Sequence, residues 1–210
     1  MPTVYSSDTS KLPKRSPHDF YITNSTLAYN AVASLLTRPH QYPHDGVATS
    51  WLDPGAGTGV WGQAIKKVYP RAHVTGVELR DVGKPSAGYD KWENGDFLTY
   101  QPGWKFTHIV GNPPYSHAEE FVRKGLEILA PGGQLLYLLN LSFLASQTRG
   151  KGLFKQEPPD RVYVCSRRAS FQEDGKTAPE EYAMFRWTKY AMNRGAVTFW
   201  WDWKELYDGS

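Results

Sequence analysis

A single cysteine in 210 residues, Cys165, excludes an intramolecular disulfide and a thiol cluster for zinc or iron–sulfur chemistry. It stands in the apolar run Val162-Tyr-Val-Cys165 and reads as a small buried side chain. No apolar stretch reaches the roughly 20 residues of a bilayer-crossing helix, and no secretory leader pattern opens the chain. The expectation is a cytoplasmic protein without a membrane partner. His40 and His44 sit four apart but lack a supporting carboxylate pattern, so no metal site is expected. A large excess of either charge is also missing. Lys and Arg total 24 against 21 Asp and Glu, and the net +3 permits a polyanionic partner without demanding one.

What is present suffices for one core: 40% of the residues are hydrophobic and 14% aromatic, and no internal repeat or linker divides the chain. Residues 1–19, rich in Pro, Ser and Lys, read as a flexible N-terminal arm. Residues 20–210 read as a single domain. Leu27, Val32, Leu35 and Leu36 are spaced for a helix capped by Asn24 or Ser25. Strands are expected over 47–52, 73–77, around Trp92, 106–111, 134–141, 161–166, 182–188 and near 197–203. Helices are expected over 60–68 and 119–129, with Ala130-Pro-Gly-Gly133 as a stop and 145–160 as a loop. Strands alternating with helices predict an α/β, doubly wound, mostly parallel sheet.

The rest is organised around Asn112-Pro113-Pro114-Tyr115, directly after the apolar run 106–111. Two consecutive prolines end a strand, because they lack N–H donors and restrict the residues before them. Their carbonyls remain as acceptors on a stiff backbone. With an Asn amide before them and a ring after them, the four residues make a polar platform with a stacking face. It suits a flat amino-bearing group whose N–H bonds meet acceptors while its ring lies on Tyr115. A Pro-rich turn with a packed Tyr is the plain alternative.

Asp53-Pro54-Gly55-Ala56-Gly57-Thr58-Gly59, between a strand and a helix, is a nucleotide-binding start for an α/β unit. Gly57-Thr-Gly59-Val-Trp-Gly62 also satisfies the dinucleotide pattern G-x-G-x-x-G, which alone is weak. Two features argue against a dehydrogenase. Asp53 would repel a pyrophosphate but suits an amino-acid ammonium. Asp96 can accept from an adenine amino group beside Phe97, a ring that can stack on it. Glu78, with Leu79 beside it, ends the second strand where ribose hydroxyls bind. Ammonium, ribose and adenine across three successive strand ends describe S-adenosylmethionine.

Taken in order, Asp53-Pro-Gly-Ala-Gly-Thr-Gly59, Glu78, Gly95-Asp96-Phe97 and Asn112-Pro-Pro-Tyr115 resemble the class I S-adenosylmethionine-dependent methyltransferases. The likeness is to the DNA adenine-N6 methyltransferases in particular, and it covers roughly residues 18–190. It implies a seven-stranded Rossmann-like sheet with helices on both faces. It also implies that Tyr21 and Thr23 touch the cofactor, although Asn24 stands where a Pro is more usual. The implied product is N6-methyladenine in DNA, made with Asn112, Pro113, Pro114 and Tyr115 at the reacting nitrogen.

A base inside a duplex cannot reach such a pocket, so it must be flipped out or already single-stranded. Phe171 matches the place where relatives put a ring on the other face of the base, or is a core Phe. Arg167 and Arg168, within the basic stretch 145–170, are candidates for phosphate contacts. For Trp200, Trp201 and Trp203, burial at a sheet edge leads over base stacking or a dimer contact. The chain leaves little room for a separate target-recognition region, so a low-specificity enzyme, a partner or a homodimer are all open. RNA amino methylation, protein glutamine-N5 methylation and a non-catalytic nucleic-acid binding module remain alternatives.

Overall fold

The computed structural model describes residues 22–36, 49–85, 87–169, 180–190 and 195–207. The arm at 1–19, Tyr21, His40, His44 and Phe171 lie outside them. Helix α1 spans Ser25–Ser34, and its N-cap is Asn24, whose side-chain oxygen accepts from the Thr26 and Leu27 amides. Strand β1 (Ser50–Pro54), helix α2 (Val60–Val68), β2 (His73–Glu78), β3 (Lys91–Asn94) and β4 (Phe106–Gly111) follow. Then come α3 (Ala118–Ile128), β5 (Leu129–Asn140), α4 (Gln147–Lys151), α5 (Leu153–Gln156), β6 (Arg161–Cys165), β7 (Tyr182–Thr188) and β8 (Val197–Trp201).

The strands form one sheet in the order β3-β2-β1-β4-β5-β7-β6-β8. Pairings from β3 through β5 are parallel; β7 runs antiparallel to both β5 and β6, and β8 is parallel to β6. Alternate side chains of β5 feed the two faces, as a sheet covered on both sides requires. Leu136 and Leu138 join α1 and α2 in one core, and Leu135, Tyr137 and Leu139 join α3 in the other. The chain builds β1, β2 and β3 outward, then returns to place β4 on the opposite side of β1. The crevice beyond the carboxyl ends of β1 and β4 is this fold's expected ligand site.

Four expectations are corrected. The sheet has eight strands among the described residues, not the seven the resemblance implies, the strand expected near 197–203 being the eighth, on the edge of β6. Ala130-Pro-Gly-Gly133 does not separate helix from strand. Leu129 already pairs with Phe106, and the extra residues bulge out, where Gly132 donates to the Lys189 carbonyl and Gly133 accepts from its amide. Residues 145–160 hold two short helices, started by Ser146 capping Arg149 and anchored by fully buried Leu153. Trp201 and Trp203 are buried as expected, but Trp200 is 71% exposed because it sits on the outermost strand. Cys165 is buried, and burial pushes its thiol up to about 12.

Helix α1 is fastened where it can cover the crevice. Asn30 donates to the Trp203 carbonyl at 3.0 Å, and Arg186 donates to the Leu35 carbonyl at 3.1 Å. The Arg186 guanidinium is itself held by Asp160 at 2.8 Å. These buried contacts fix the approach of Ile22 and Thr23 to the site.

Candidate active site

A cavity of about 280 Å³ opens at the crevice. Its walls come from the glycine-rich turn after β1, the ends of β2 and β3, the Asn112 step after β4, and Thr23 before α1. The turn folds back sharply because Gly55, Gly57 and Gly59 all take positive φ, which side chains rarely adopt. Of the residues singled out in the sequence, Thr23, Gly55, Ala56, Gly57, Glu78, Leu79, Asp96, Phe97, Asn112 and Pro114 line this cavity. Asp53, Pro54, Gly59 and Pro113 are buried and are not part of its wall. Tyr115 faces a second, polar cavity of about 180 Å³, which it shares with Asn140, Arg149 and Tyr182, and Ser116 borders both.

The strand-end carboxylates have different surroundings. Glu78 Oε2 accepts from the Gly57 amide at 2.7 Å, and Oε1 accepts from the Arg80 amide and Nε at 3.0 and 2.8 Å. Burial works to raise its pKa, but the Arg80 and Gly57 hydrogen bonds outweigh it and hold the carboxyl below its ordinary value. Asp96 Oδ1 caps the following turn by accepting from the Leu98 amide at 2.9 Å, and Phe97 packs on Phe121 with ring centroids 4.8 Å apart. Asp53 is fully buried. Loss of solvent, helped by the charge of Glu78, raises its pKa to about 7, even though the Tyr89 hydroxyl donates to Oδ2 at 2.6 Å.

No family model matches the chain. A tRNA1(Val) (adenine(37)-N6)-methyltransferase of Vibrio cholerae is 29% identical over 82 residues, covering 34% of this chain and 34% of that protein. The type II methyltransferase M.CvrRI of Paramecium bursaria Chlorella virus XZ-6E is 37% identical over 71 residues, 32% of this chain and 18% of that protein. The matches thus span about a third of the first relative and less of the second. A solved structure from Listeria monocytogenes, assigned to the class I S-adenosylmethionine-dependent methyltransferases, superposes with a TM-score of 0.62 at 13% identity, over 89% of this chain and 67% of that one. The chain thus shares the fold of that solved structure.

Within this fold, sequence reasoning missed Arg80, Trp61, Ser116 and His117 on the cavity wall and Tyr89, which reaches Asp53. Arg80 was signalled by its place directly after Glu78 and Leu79. Tyr89 carried no local signal, since only the fold brings it to Asp53 across 36 residues. Arg167 and Arg168 are exposed, but each holds a carboxylate: Asp202 at 2.8 Å and Glu181 at 3.3 Å. Among the described residues, no group of three or more His, Cys, Asp or Glu could hold a metal, and no helix is long and apolar enough to cross a membrane.

Proposed function

We propose that this protein transfers a methyl group from S-adenosylmethionine to the exocyclic N6 amino group of adenine in nucleic acid. DNA is the proposed substrate, with its target base flipped out or single-stranded. One observation carries the proposal. Asn112-Pro113-Pro114-Tyr115 leaves β4 at the switch point, so Asn112 and Pro114 share one cavity with the glycine-rich turn, Glu78 and Asp96. The cavity suits the cofactor: two carboxylates stand on its wall at successive strand ends, and directly behind it Asp53 Oδ1 has no hydrogen-bond partner.

When bound, S-adenosylmethionine supplies an electrophilic methyl group on a sulfonium. The chain's part is to make a poor nucleophile attack it. The adenine amine is weak because its lone pair is delocalised into the ring. The Asn112 side-chain oxygen and the Pro113 carbonyl accept its two N–H bonds and favour a pyramidal, more nucleophilic nitrogen. Tyr115 stacks on the base and aims that nitrogen. Bound in this cavity, the cofactor would give up its methyl as the S–C bond broke with its electron pair to sulfur, one N–C bond would form, and the surplus proton would leave to water. Positioning and fixed acceptors supply most of the acceleration, and no strong general base is required.

A second reading, adenine methylation in RNA, is favoured by the tRNA activity in the name of the Vibrio relative. The test is transfer of radiolabelled methyl to matched duplex DNA, single-stranded DNA and RNA, with nucleoside analysis. N6-methyladenine in DNA supports the proposal; label confined to RNA replaces its substrate. Label in none of them, with cofactor bound, overturns nucleic acid as the target and points to a protein glutamine.

A further inference from the structure

Tyr89 occupies a socket cut for it. Its ring lies between α2 and β2, where a methyl on Gly62 would overlap it and one on Gly76 would lie 2.9 Å from its Cδ1. The ring is 7% exposed and meets Trp92 edge-on at 5.3 Å. Two glycines on separate elements thus admit one large side chain, and its hydroxyl reaches Asp53 Oδ2 at 2.6 Å. The other carboxylate oxygen, Oδ1, is buried without a partner, and a methyl on Gly111 would stand 3.2 Å from it. Gly111 directly precedes Asn112. Asp53 therefore stands behind both the glycine-rich turn and the proposed methyl-transfer step, with one oxygen clamped and one turned toward that step.

We propose that Tyr89 is a positioning residue for cofactor binding: it fixes the Asp53 carboxylate so that its charge faces the cationic amino-acid end of S-adenosylmethionine. This rests on the cofactor reading above. A charge acts strongly through a dry interior, so Asp53 need not touch the ligand to favour a cation in the cavity. A hydrogen bond to the charged form favours that form, and burial opposes it. The titratable groups that act on Asp53 are Tyr89 itself and Glu78 on β2, the latter neutralised in part by Arg80; Tyr137 on β5 in turn senses the Asp53 charge. Helix α2 meets it through the Gly62 backbone amide, which like Tyr89 favours the charged form, and β4 meets it through Gly111; neither brings a charge.

The test is calorimetric titration of the full chain with S-adenosylmethionine from pH 6 to 9, using wild type, Tyr89→Phe, Asp53→Asn and the double variant. Tyr89→Phe keeps the ring and removes only the donor. Its cofactor Kd should rise about tenfold at neutral pH, and the pH at which binding strengthens should move upward. With Asp53→Asn already present, Tyr89→Phe should add nothing, whereas a merely structural role would give additive losses. Wild-type affinity in Tyr89→Phe at every pH, or additive effects, overturns the proposal. If Tyr89→Phe fails to fold, Gly62→Ala, which displaces the ring, must show the same weakened, pH-shifted binding, and wild-type affinity there overturns it. Absence of binding by the wild type overturns the cofactor reading itself, a result visible without any variant.

Discussion

Glu78 and Gly57 are joined by a 2.7 Å hydrogen bond from the backbone amide of the turn to the acid at the end of β2. One carboxylate thus shapes the glycine-rich turn while facing the cavity. Glu78→Gln replaces one acceptor oxygen by an NH2 group, which must face either the Gly57 amide or Arg80, both donors. The expected cost is about 1–3 kcal/mol of stability. Cofactor affinity should fall by about tenfold or more, with kcat at saturating cofactor little changed. Thermal unfolding and calorimetric titration read the two effects, and unchanged cofactor affinity would sink the assignment.

Asn112→Ala separates binding from chemistry. Removing the side-chain oxygen takes away one acceptor for the reacting amine while the glycine-rich turn, Glu78 and Asp96 remain. The expected loss in kcat is about 10²–10³-fold, the scale of losing one preorganised polar group at a transition state. Cofactor Kd should stay close to wild type. Single-turnover transfer to adenine-containing oligonucleotides checks this, and near-normal turnover would remove Asn112 from the mechanism.

Much of this architecture is legible in the sequence because local signals agree with the global fold. The apolar runs 73–77 and 106–111 lie within the observed β2 and β4, and the expected 60–68 is α2 itself. Legibility fails where long-range pairing decides. Ala130-Pro-Gly-Gly133 has a breaker composition, yet it enters β5 because the end of β7 supplies partners for Gly132 and Gly133. The two short helices within 145–160 were hidden in the same way, since they depend on Leu153 finding a buried place in the core.

The site divides the same way. Residues at strand ends were legible because the α/β topology collects them in one crevice; Glu78, Asp96 and Asn112 all line the cavity. Tyr89 was not, because its role depends on Gly62 and Gly76 making room from two other elements. The orientation of Asp53 was equally hidden. A sequence shows an acid before a glycine-rich turn, but not that the acid is fully buried with a phenol on one oxygen.

Two buried groups make opposite demands on pH. Asp53 is raised from 3.8 to about 7, so the native state holds its proton more tightly than the unfolded chain. That stabilisation is full below about pH 4 and is lost as pH rises through about 7. His108 lies flat on Trp51, with centroids 4.1 Å apart, and burial pushes its pKa from 6.5 down to about 3. Here the unfolded chain binds the proton better, so stability falls as pH drops from 6.5 toward 3. Each effect is at most about 5 kcal/mol. Relative to wild type, Asp53→Asn should gain stability between pH 4 and 7, while His108→Phe should gain it as pH falls below 6.5. Denaturant unfolding across pH 4–8 measures both differences, and parallel curves for a variant and wild type would refute the corresponding assignment.

Arg167 and Arg168 test the nucleic-acid reading. Both are exposed and paired, with Asp202 and Glu181, and exposed pairs contribute little because solvent screens them. A phosphate can therefore displace either carboxylate at little cost. Each phosphate contact contributes about 0.7 to the salt slope for a single strand and about 0.9 for a duplex. Arg168→Ala should lower the slope of log K against log salt by about that amount, nearly equally for all sequences. Asp202→Asn should strengthen binding by freeing Arg167 from its partner. Fluorescence anisotropy with labelled oligonucleotides over a salt series reads both. If the slope is unchanged in Arg168→Ala and Asp202→Asn has no effect, these arginines serve only their ion pairs, and the phosphate track lies elsewhere on the surface.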